Sequence, residues 1–118
     1  MKINEKIKKL LNIKTDIEKI IVSEKGLLKH IEKRKHFDVL PYFTNLEEII
    51  KNPDYVGINP NEKDLSLEYV KVYEDNVLVA VKIHKSQDYF YIPTMYIISE
   101  YKLKSRVYGG RLKKFDNK

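Results

Sequence analysis

The spacing of hydrophobic positions changes along the chain, from helical near the N-terminus to alternating in the second half. Residues 3–13 place isoleucine and leucine at helical spacing between charged residues, which predicts a short amphipathic helix. A β-branched cluster over residues 17–22 predicts a short strand, and Ser23 fits the N-cap of a helix over residues 24–35. The chain is therefore expected to open with a helix, a strand and a second helix.

A further short helix is predicted over residues 45–51. Thr44 and Glu47 match a capping box, in which a glutamate follows a threonine three residues later. The helix must end before Pro53, because the residue that precedes a proline is disfavoured in the helical conformation. Residues 55–58 then have the composition of an edge strand.

Two β-rich segments, residues 67–74 and 77–84, are joined by Asp75-Asn76, which predicts a hairpin with a two-residue turn. Counting outward from this turn fixes the cross-strand pairs and the face on which each side chain lies. The aliphatic side chains then share one face for helices to cover: Val70, Val72, Val77, Val79, Val81 and Ile83. The cationic and aromatic side chains share the other face, together with Leu78 and Ala80: Tyr69, Lys71, Tyr73, Lys82 and His84.

A third strand is predicted over residues 89–98, and Pro93 interrupts it. Simple alternation keeps Tyr96 on the core face. Because proline lacks the ladder donor, it is expected at an edge or a bulge, and a bulge here would turn Thr94 and Tyr96 onto the polar face.

Together these elements predict an α+β fold, with N-terminal helices packed on one face of a small antiparallel sheet of three or four strands. The length of 118 residues fits a single domain, with its core at about residues 17–106. Residues 101–106 are predicted to be helical, and Gly109-Gly110 ends regular structure. Residues 107–118 are expected to form a flexible basic tail.

The charge balance favours an anionic partner. The chain has 23 Lys and Arg against 17 Asp and Glu, a formal net charge of +6, which attracts polyanions such as nucleic acid. The absence of cysteine excludes disulfides, thiolate zinc sites and a cysteine nucleophile. No apolar run reaches the roughly 18–20 residues that cross a bilayer, and the N-terminus is unlike a secretory signal. We therefore expect a cytoplasmic protein, of the producing or a target cell, with no membrane partner, and the sequence leaves the oligomeric state open.

Two of the three histidines, His30 and His36, lie six residues apart in a basic segment. Metal-independent RNA cleavage needs a base, an acid and fixed positive charge, which two histidines and a lysine or arginine can supply. The same histidines also fit the exposed basic end of a helix. The Lys and Tyr side chains of the sheet suit a platform for single-stranded nucleic acid, although exposed strands are often rich in both residues. No glycine-rich phosphate loop, metalloprotease motif or serine-hydrolase motif is present, so no metal and no other cofactor is expected.

The run from Leu28 through His36, followed by Leu46 through Val56, resembles the opening of phage-associated nuclease domains of the barnase/EndoU/colicin/RelE superfamily. The segment from Tyr91 to Tyr96 resembles the closing strand of that family. The resemblance spans about residues 20–106. It departs from the family pattern at Lys35, which is inserted between Arg34 and His36.

The resemblance implies a metal-independent ribonuclease with its substrate groove on the sheet face that the helices leave open. It implies His30 and His36 as the acid and base, Lys71 as the lysine that stabilises the phosphorane, and Thr94 as a catalytic residue of the closing strand. On an unbroken helix, His30 and His36 would lie about 120° apart. Either the helix has ended before His36, or His36 points away. The residues expected to bind substrate are Arg34, Tyr69, Lys82, Tyr91 and Tyr96.

The first functional hypothesis is a metal-independent endoribonuclease, phage-borne or of toxin type, that forms 2',3'-cyclic phosphate ends. Its candidate partners are tRNA or another structured RNA and a cognate inhibitor protein. The second hypothesis is a non-catalytic RNA-binding module on the same scaffold, because folds keep their shape when sites decay. The third is a protein-interaction domain whose basic face meets an acidic protein.

Overall fold

The computed structural model describes residues 1–83 and 88–117, which form an α+β fold with a six-stranded mixed sheet. The helices are α1 (Glu5–Leu10), α2 (Glu24–Lys33), a 3-10 helix (Phe37–Asn45), α3 (Leu46–Lys51) and α4 (Glu100–Tyr108). The strands are β1 (Ile20–Ile21), β2 (Tyr55–Ile58), β3 (Ser66–Val72), β4 (Asn76–Ile83), β5 (Phe90–Ile98) and β6 (Leu112–Lys114). The predicted position of His84 lies outside the described residues. Within them, no helix is both long enough and apolar enough to span a bilayer.

The sequence predicted side-chain caps at the N-termini of α2 and α3. Ser23 caps α2 as predicted, since its hydroxyl oxygen accepts a hydrogen bond from the backbone N–H of Gly26 at 3.1 Å. The prediction of a capping box at Thr44 is wrong. The chain enters α3 directly from the 3-10 helix, and Asn45 occupies the cap position without a side-chain hydrogen bond. No extended residue precedes α3 from which a side chain could cap it.

The sheet is larger than the sequence predicted and is not purely antiparallel. Its strand order is β1-β5-β4-β3-β2-β6, with β1 parallel to β5 and the other pairs antiparallel. Because β6 pairs with β2, strand β2 is not an edge strand. The two outer strands contain two and three residues, too few for an alternating pattern to identify them.

The register of the β3–β4 hairpin differs from the prediction. The loop contains three residues, Tyr73 to Asp75, and Val72 pairs with Asn76. Each pair therefore shifts by an odd number of residues, which turns every side chain of β3 to the opposite face. Tyr69 and Lys71 lie with the valines of β4 on the helix-covered face, and the predicted cationic face that included them does not exist.

Of the two alternatives expected for Pro93, an edge position or a bulge, the structure has the bulge. Tyr91 is opposite Lys82 and Thr94 is opposite Ala80, so β5 uses one more residue than β4 over this stretch. The extra residue turns Thr94 onto the face of Ala80, away from the N-terminal helices.

The two sheet faces are covered unequally. Helices α1 to α3 and the 3-10 helix cover one face, where their apolar side chains join those of the sheet in the main core. Helix α4 and β6 cover only one end of the other face. The side chains of this smaller cluster are Val70, Leu78, Ile98, Leu103 and Leu112. No other helix or strand in residues 1–83 and 88–117 covers the remainder of the second face.

The C-terminal residues, expected to be a flexible tail, are packed against the sheet. Leu112 and Phe115 are buried, with 1% and 7% of their surfaces exposed. Gly110 has a φ of 83°, a conformation that favours glycine, and it turns the chain from α4 into β6. Gly57 permits the close approach of β6, because a Cβ at this position would collide with the carbonyl oxygen of Arg111.

Candidate active site

The open part of the second sheet face forms a cleft of about 320 Å³. Strands β3, β4 and β5 supply its floor, and the C-terminal end of α2 supplies one wall. We call it the histidine cleft. Its lining residues are His30, Arg34, His36, Asn59, Glu62, Ser66, Glu68, Ala80, Lys82, Pro93, Thr94 and Tyr96.

The end of α2 brings both N-terminal histidines to this cleft. Helix α2 ends at Lys33, and Lys35 adopts a left-handed conformation with a φ of 56°. The N–H of Lys35 donates to Glu32 O at 3.1 Å, and the N–H of His36 donates to Ile31 O at 3.0 Å. This is the hydrogen-bond pattern of a Schellman motif, which reverses the chain at a helix end. The residue inserted relative to the family pattern, Lys35, thus ends the helix before His36 and removes the 120° separation.

The two histidines have different surroundings. The imidazole of His36 stacks on the ring of Tyr96, with centroids 5.6 Å apart and planes inclined by 28°. His30 is half-buried, and its pKa is lowered below the ordinary value of 6.5, first by burial and then by the positive charges of Arg34, His36 and Lys33. His30 is therefore mostly neutral at neutral pH, as a general base must be.

The cleft floor is a row of three residues on adjacent strands, with Glu68 opposite Ala80 and Ala80 opposite Thr94. The small side chain of Ala80 leaves a depression between its two polar neighbours. The hydroxyl oxygen of Thr94 is buried and has no hydrogen-bond partner among the described residues. A buried hydroxyl without a partner is unfavourable, so this group is available to a ligand in the cleft.

Two arginines of the C-terminal segment hold Glu68, of which only 1% is exposed. Arg111 donates through Nε and Nη2 to the two carboxylate oxygens, at 2.7 and 2.8 Å. Arg106 adds an ion pair at 3.5 Å. These hydrogen bonds raise the pKa of Arg111 above its ordinary value. The carboxylate is thereby fixed in one orientation at the base of the cleft.

The predicted site residues divide into those that the fold brings to the cleft and those that it does not. The cleft contains six of them: His30, Arg34, His36, Lys82, Thr94 and Tyr96. At the rim of the cleft, the ammonium of Lys82 forms an ion pair with the carboxylate of Glu62 at 3.0 Å. Tyr91 lines an adjoining pocket that shares His30 with the cleft.

Lys71 and Tyr69 lie on the opposite face of the sheet, because of the hairpin register. The ammonium of Lys71 donates to Asn52 O at 2.8 Å and lies 3.7 Å from Asp54. Tyr69 is fully buried, and burial raises the pKa of its hydroxyl. Neither side chain reaches the histidine cleft in this structure.

Sequence reasoning missed Glu68, Arg106 and Arg111. A single carboxylate in the middle of an apolar strand was the available signal for Glu68, since a charge at such a position needs a partner. Nothing in the local sequence identified its partners, which lie 38 and 43 residues away. In residues 1–83 and 88–117, no group of three or more His, Asp or Glu side chains is arranged to hold a metal ion.

The fold and the cleft define a class of small α+β domain, with the N-terminal helices on one sheet face and a histidine-lined cleft on the other. Residues 1–105 match the phage-Barnase-EndoU-ColicinE5/D-RelE like nuclease3 family, and the chain belongs to this nuclease-like family. This confirms the resemblance seen around His30 and in the closing strand. The match ends before Arg106 and Arg111. No curated protein and no solved structure matches the chain significantly.

Proposed function

We propose that this protein is an endoribonuclease that cleaves RNA by transphosphorylation without a metal ion. The observation that carries the proposal is the convergence of His30, His36 and Thr94 in one cleft, which Arg34 also lines. Membership of a nuclease-like family supports phosphodiester cleavage as the reaction class. The two histidines and the neighbouring Arg34 support the ribonuclease mechanism.

In the proposed reaction, neutral His30 removes the proton from the 2'-hydroxyl, and the 2'-oxygen attacks the adjacent phosphorus. His36, in its protonated form, donates a proton to the departing 5'-oxygen as the phosphorus–oxygen bond breaks. One product ends in a 2',3'-cyclic phosphate and the other begins with a 5'-hydroxyl. Stacking on Tyr96 keeps the ring of His36 oriented for this transfer.

Charge on the phosphorane is stabilised by groups that border the same cleft. The guanidinium of Arg34 and the unpartnered hydroxyl of Thr94 are the candidate donors to the phosphoryl oxygens. We assign Glu68 a positioning role, because both of its oxygens already accept hydrogen bonds from Arg111. Lys71 has no role in this reaction, in contrast to the expectation from the family resemblance.

The test is incubation of the purified protein with total RNA in excess EDTA, followed by analysis of the product ends. We expect fragments with 2',3'-cyclic phosphate, and we expect His30→Ala and His36→Ala each to slow cleavage by about 10²–10⁴-fold. Lys71→Ala is the matched control and should retain cleavage. RNA that is bound but stays intact would refute the nuclease and favour a non-catalytic RNA-binding module. Unchanged cleavage in His30→Ala would refute the assignment of His30 as the base.

A further inference from the structure

A second depression adjoins the histidine cleft, and His30 and Pro93 line both. It has a volume of about 390 Å³ and lies between the start of α2 and the start of β5. We call it the aromatic pocket. Its walls include Gly26, Leu27, Tyr89, Tyr91 and Ile92.

We propose that the aromatic pocket binds a nucleobase of single-stranded RNA, next to the phosphate that lies in the histidine cleft. This inference rests on the proposed function and extends it to the class of substrate. A nucleotide joins a planar, largely apolar base to an anionic phosphate. The structure presents aromatic and aliphatic side chains directly beside a cleft that is lined by Arg34 and two histidines, which is the complementary arrangement.

The size of the pocket suits such an occupant. Its volume of about 390 Å³ lies within the range of roughly 300–1,000 Å³ that is common for ligand pockets. Gly26 has no side chain, so the backbone of α2 forms the wall of the pocket at this point.

The position of the pocket favours a single strand over a duplex. A base can contact the rings of Tyr89 and Tyr91 with its face only when it is unstacked from its neighbours, as in a loop or a single strand. The groove also continues on the far side of the histidine cleft, where His36 and Tyr96 line another depression together with Lys102. An extended chain of nucleotides can thus follow one path through all three depressions.

The binding test uses a short, fluorescently labelled RNA whose 2'-hydroxyls are all methylated, so that it cannot be cleaved by transphosphorylation. Stacking on one aromatic side chain contributes enough that Tyr91→Leu should weaken binding roughly tenfold. Tyr91→Phe keeps the ring and should retain most of the affinity. Tyr108→Leu removes a tyrosine that is 97% exposed on α4 and is the matched control, with unchanged affinity expected.

A second measurement locates the base. One abasic nucleotide is moved stepwise along the same RNA, and binding to the wild type should fall at one position. At that position, Tyr91→Leu should cause no further loss, because the stacked base is already absent. Additive losses at every position would overturn the pocket assignment. Thermal unfolding of each variant verifies that the fold is intact.

The outcomes separate this inference from the proposed function. If the wild type cleaves RNA and Tyr91→Leu binds the methylated RNA equally well, the pocket assignment fails and the nuclease stands. If the wild type cleaves nothing but binds with the expected dependence on Tyr91, the nuclease fails and the pocket stands. If the methylated RNA does not bind, the pocket assignment fails. If it binds as well when it is fully paired in a duplex, the preference for single strands fails.

Discussion

His30 is the residue whose chemistry depends most directly on its surroundings. Its position near the end of α2 places it beside Arg34, Lys33 and His36, and all of these groups, when charged, oppose its protonation. Burial acts in the same direction and is the largest cause. An ordinary surface histidine would be partly protonated just below neutral pH, and this one keeps its base form to lower pH.

The pH dependence of cleavage follows from this shift. A base must be deprotonated to act, so the acidic limb of the kcat/KM profile should have its midpoint below pH 6.5. The measurement is cleavage of a short RNA between pH 4.5 and 8 in EDTA. Arg34→Gln removes one of the opposing charges and should move the midpoint upward. A midpoint above 6.5 in the wild type would contradict the assignment of His30 as the base.

The same shift makes a prediction about stability. The folded state binds a proton on His30 less readily than the unfolded chain, so protonation of His30 opposes folding. The contribution of neutral His30 to stability is fully present above pH 6.5 and is lost as the pH falls through the lowered pKa. Urea unfolding at pH 5 and pH 7.5 should therefore show a smaller acid-induced loss in His30→Asn than in the wild type. An equal loss in the two proteins would show that His30 has an ordinary pKa.

At the scale of elements, the turn at the end of α2 decides whether the two histidines can act together. The sequence left this open, since His36 falls either beyond the helix or on a different side of it. Lys35 resolves the choice by adopting the left-handed conformation, which is uncommon for a residue with a Cβ. Local sequence gave no signal for it, because glycine is the usual residue at this position.

Substitutions at Lys35 should reveal the strain of this turn. Lys35→Gly should raise the free energy of unfolding by about 0.5–1 kcal/mol and keep cleavage, because glycine adopts the left-handed conformation freely. Lys35→Val should lower it by about 1 kcal/mol or more and slow cleavage, because a β-branched residue disfavours the conformation that positions His36. Urea unfolding and RNA cleavage measure the two effects.

A matched control lies two residues earlier. Lys33 has a helical conformation at the end of α2, so Lys33→Gly should lower the free energy of unfolding by roughly 0.5–1 kcal/mol. A glycine that raises the free energy of unfolding at position 35 and lowers it at position 33 would support the left-handed turn at Lys35. Equal losses would show that Lys35 is not strained.

The hairpin shows how an element can be predicted while its register is not. Both strands were expected, but the turn has three residues instead of two and lies earlier in the chain, so each cross-strand pair is displaced by three residues. Asn76 is the first residue of β4 instead of a turn residue, and its side-chain amide donates to the carboxylate of Glu100 at 2.9 Å. Glu100 belongs to α4, so a contact between residues far apart in the chain accompanies the observed register. In this register Tyr69 is buried against the N-terminal helices.

At the scale of the whole molecule, the C-terminal segment joins the sheet and the site. Strand β6 extends the sheet beyond β2, and Arg111, just before it, reaches the carboxylate of Glu68. The family match ends at residue 105, so these contacts belong to the part of the chain that follows it. The cleft floor therefore depends on residues outside the matched region.

Loss of the arginine should destabilise the protein through the buried carboxylate. Arg111→Met leaves Glu68 with only the longer ion pair to Arg106, and it should lower the free energy of unfolding by about 2–3 kcal/mol. Lys104→Met is the matched control, because it breaks an exposed pair with Glu100 and should change stability by less than about 0.5 kcal/mol. Urea unfolding compares the two. Similar small effects would mean that solvent screens the Glu68 pair as well.

The sequence by itself determined the α+β class, the extents of the main helices and strands to within a few residues, the irregularity of β5 at Pro93 and the family. These features depend on local patterns: hydrophobic periodicity, caps, proline and short motifs. It also identified six of the residues that line the cleft, because side-chain chemistry is visible in sequence.

Only the tertiary structure decided which face of β3 is buried, and hence that Lys71 lies away from the cleft and Glu68 within it. It also decided that the C-terminal segment forms β6 and supplies Arg111. Both outcomes depend on contacts between residues far apart in the chain, and local patterns do not encode them. A register shift of an odd number of residues, three in this hairpin, exchanges the two faces of a strand without any change in its sequence pattern, so packing against the N-terminal helices and α4 makes the choice.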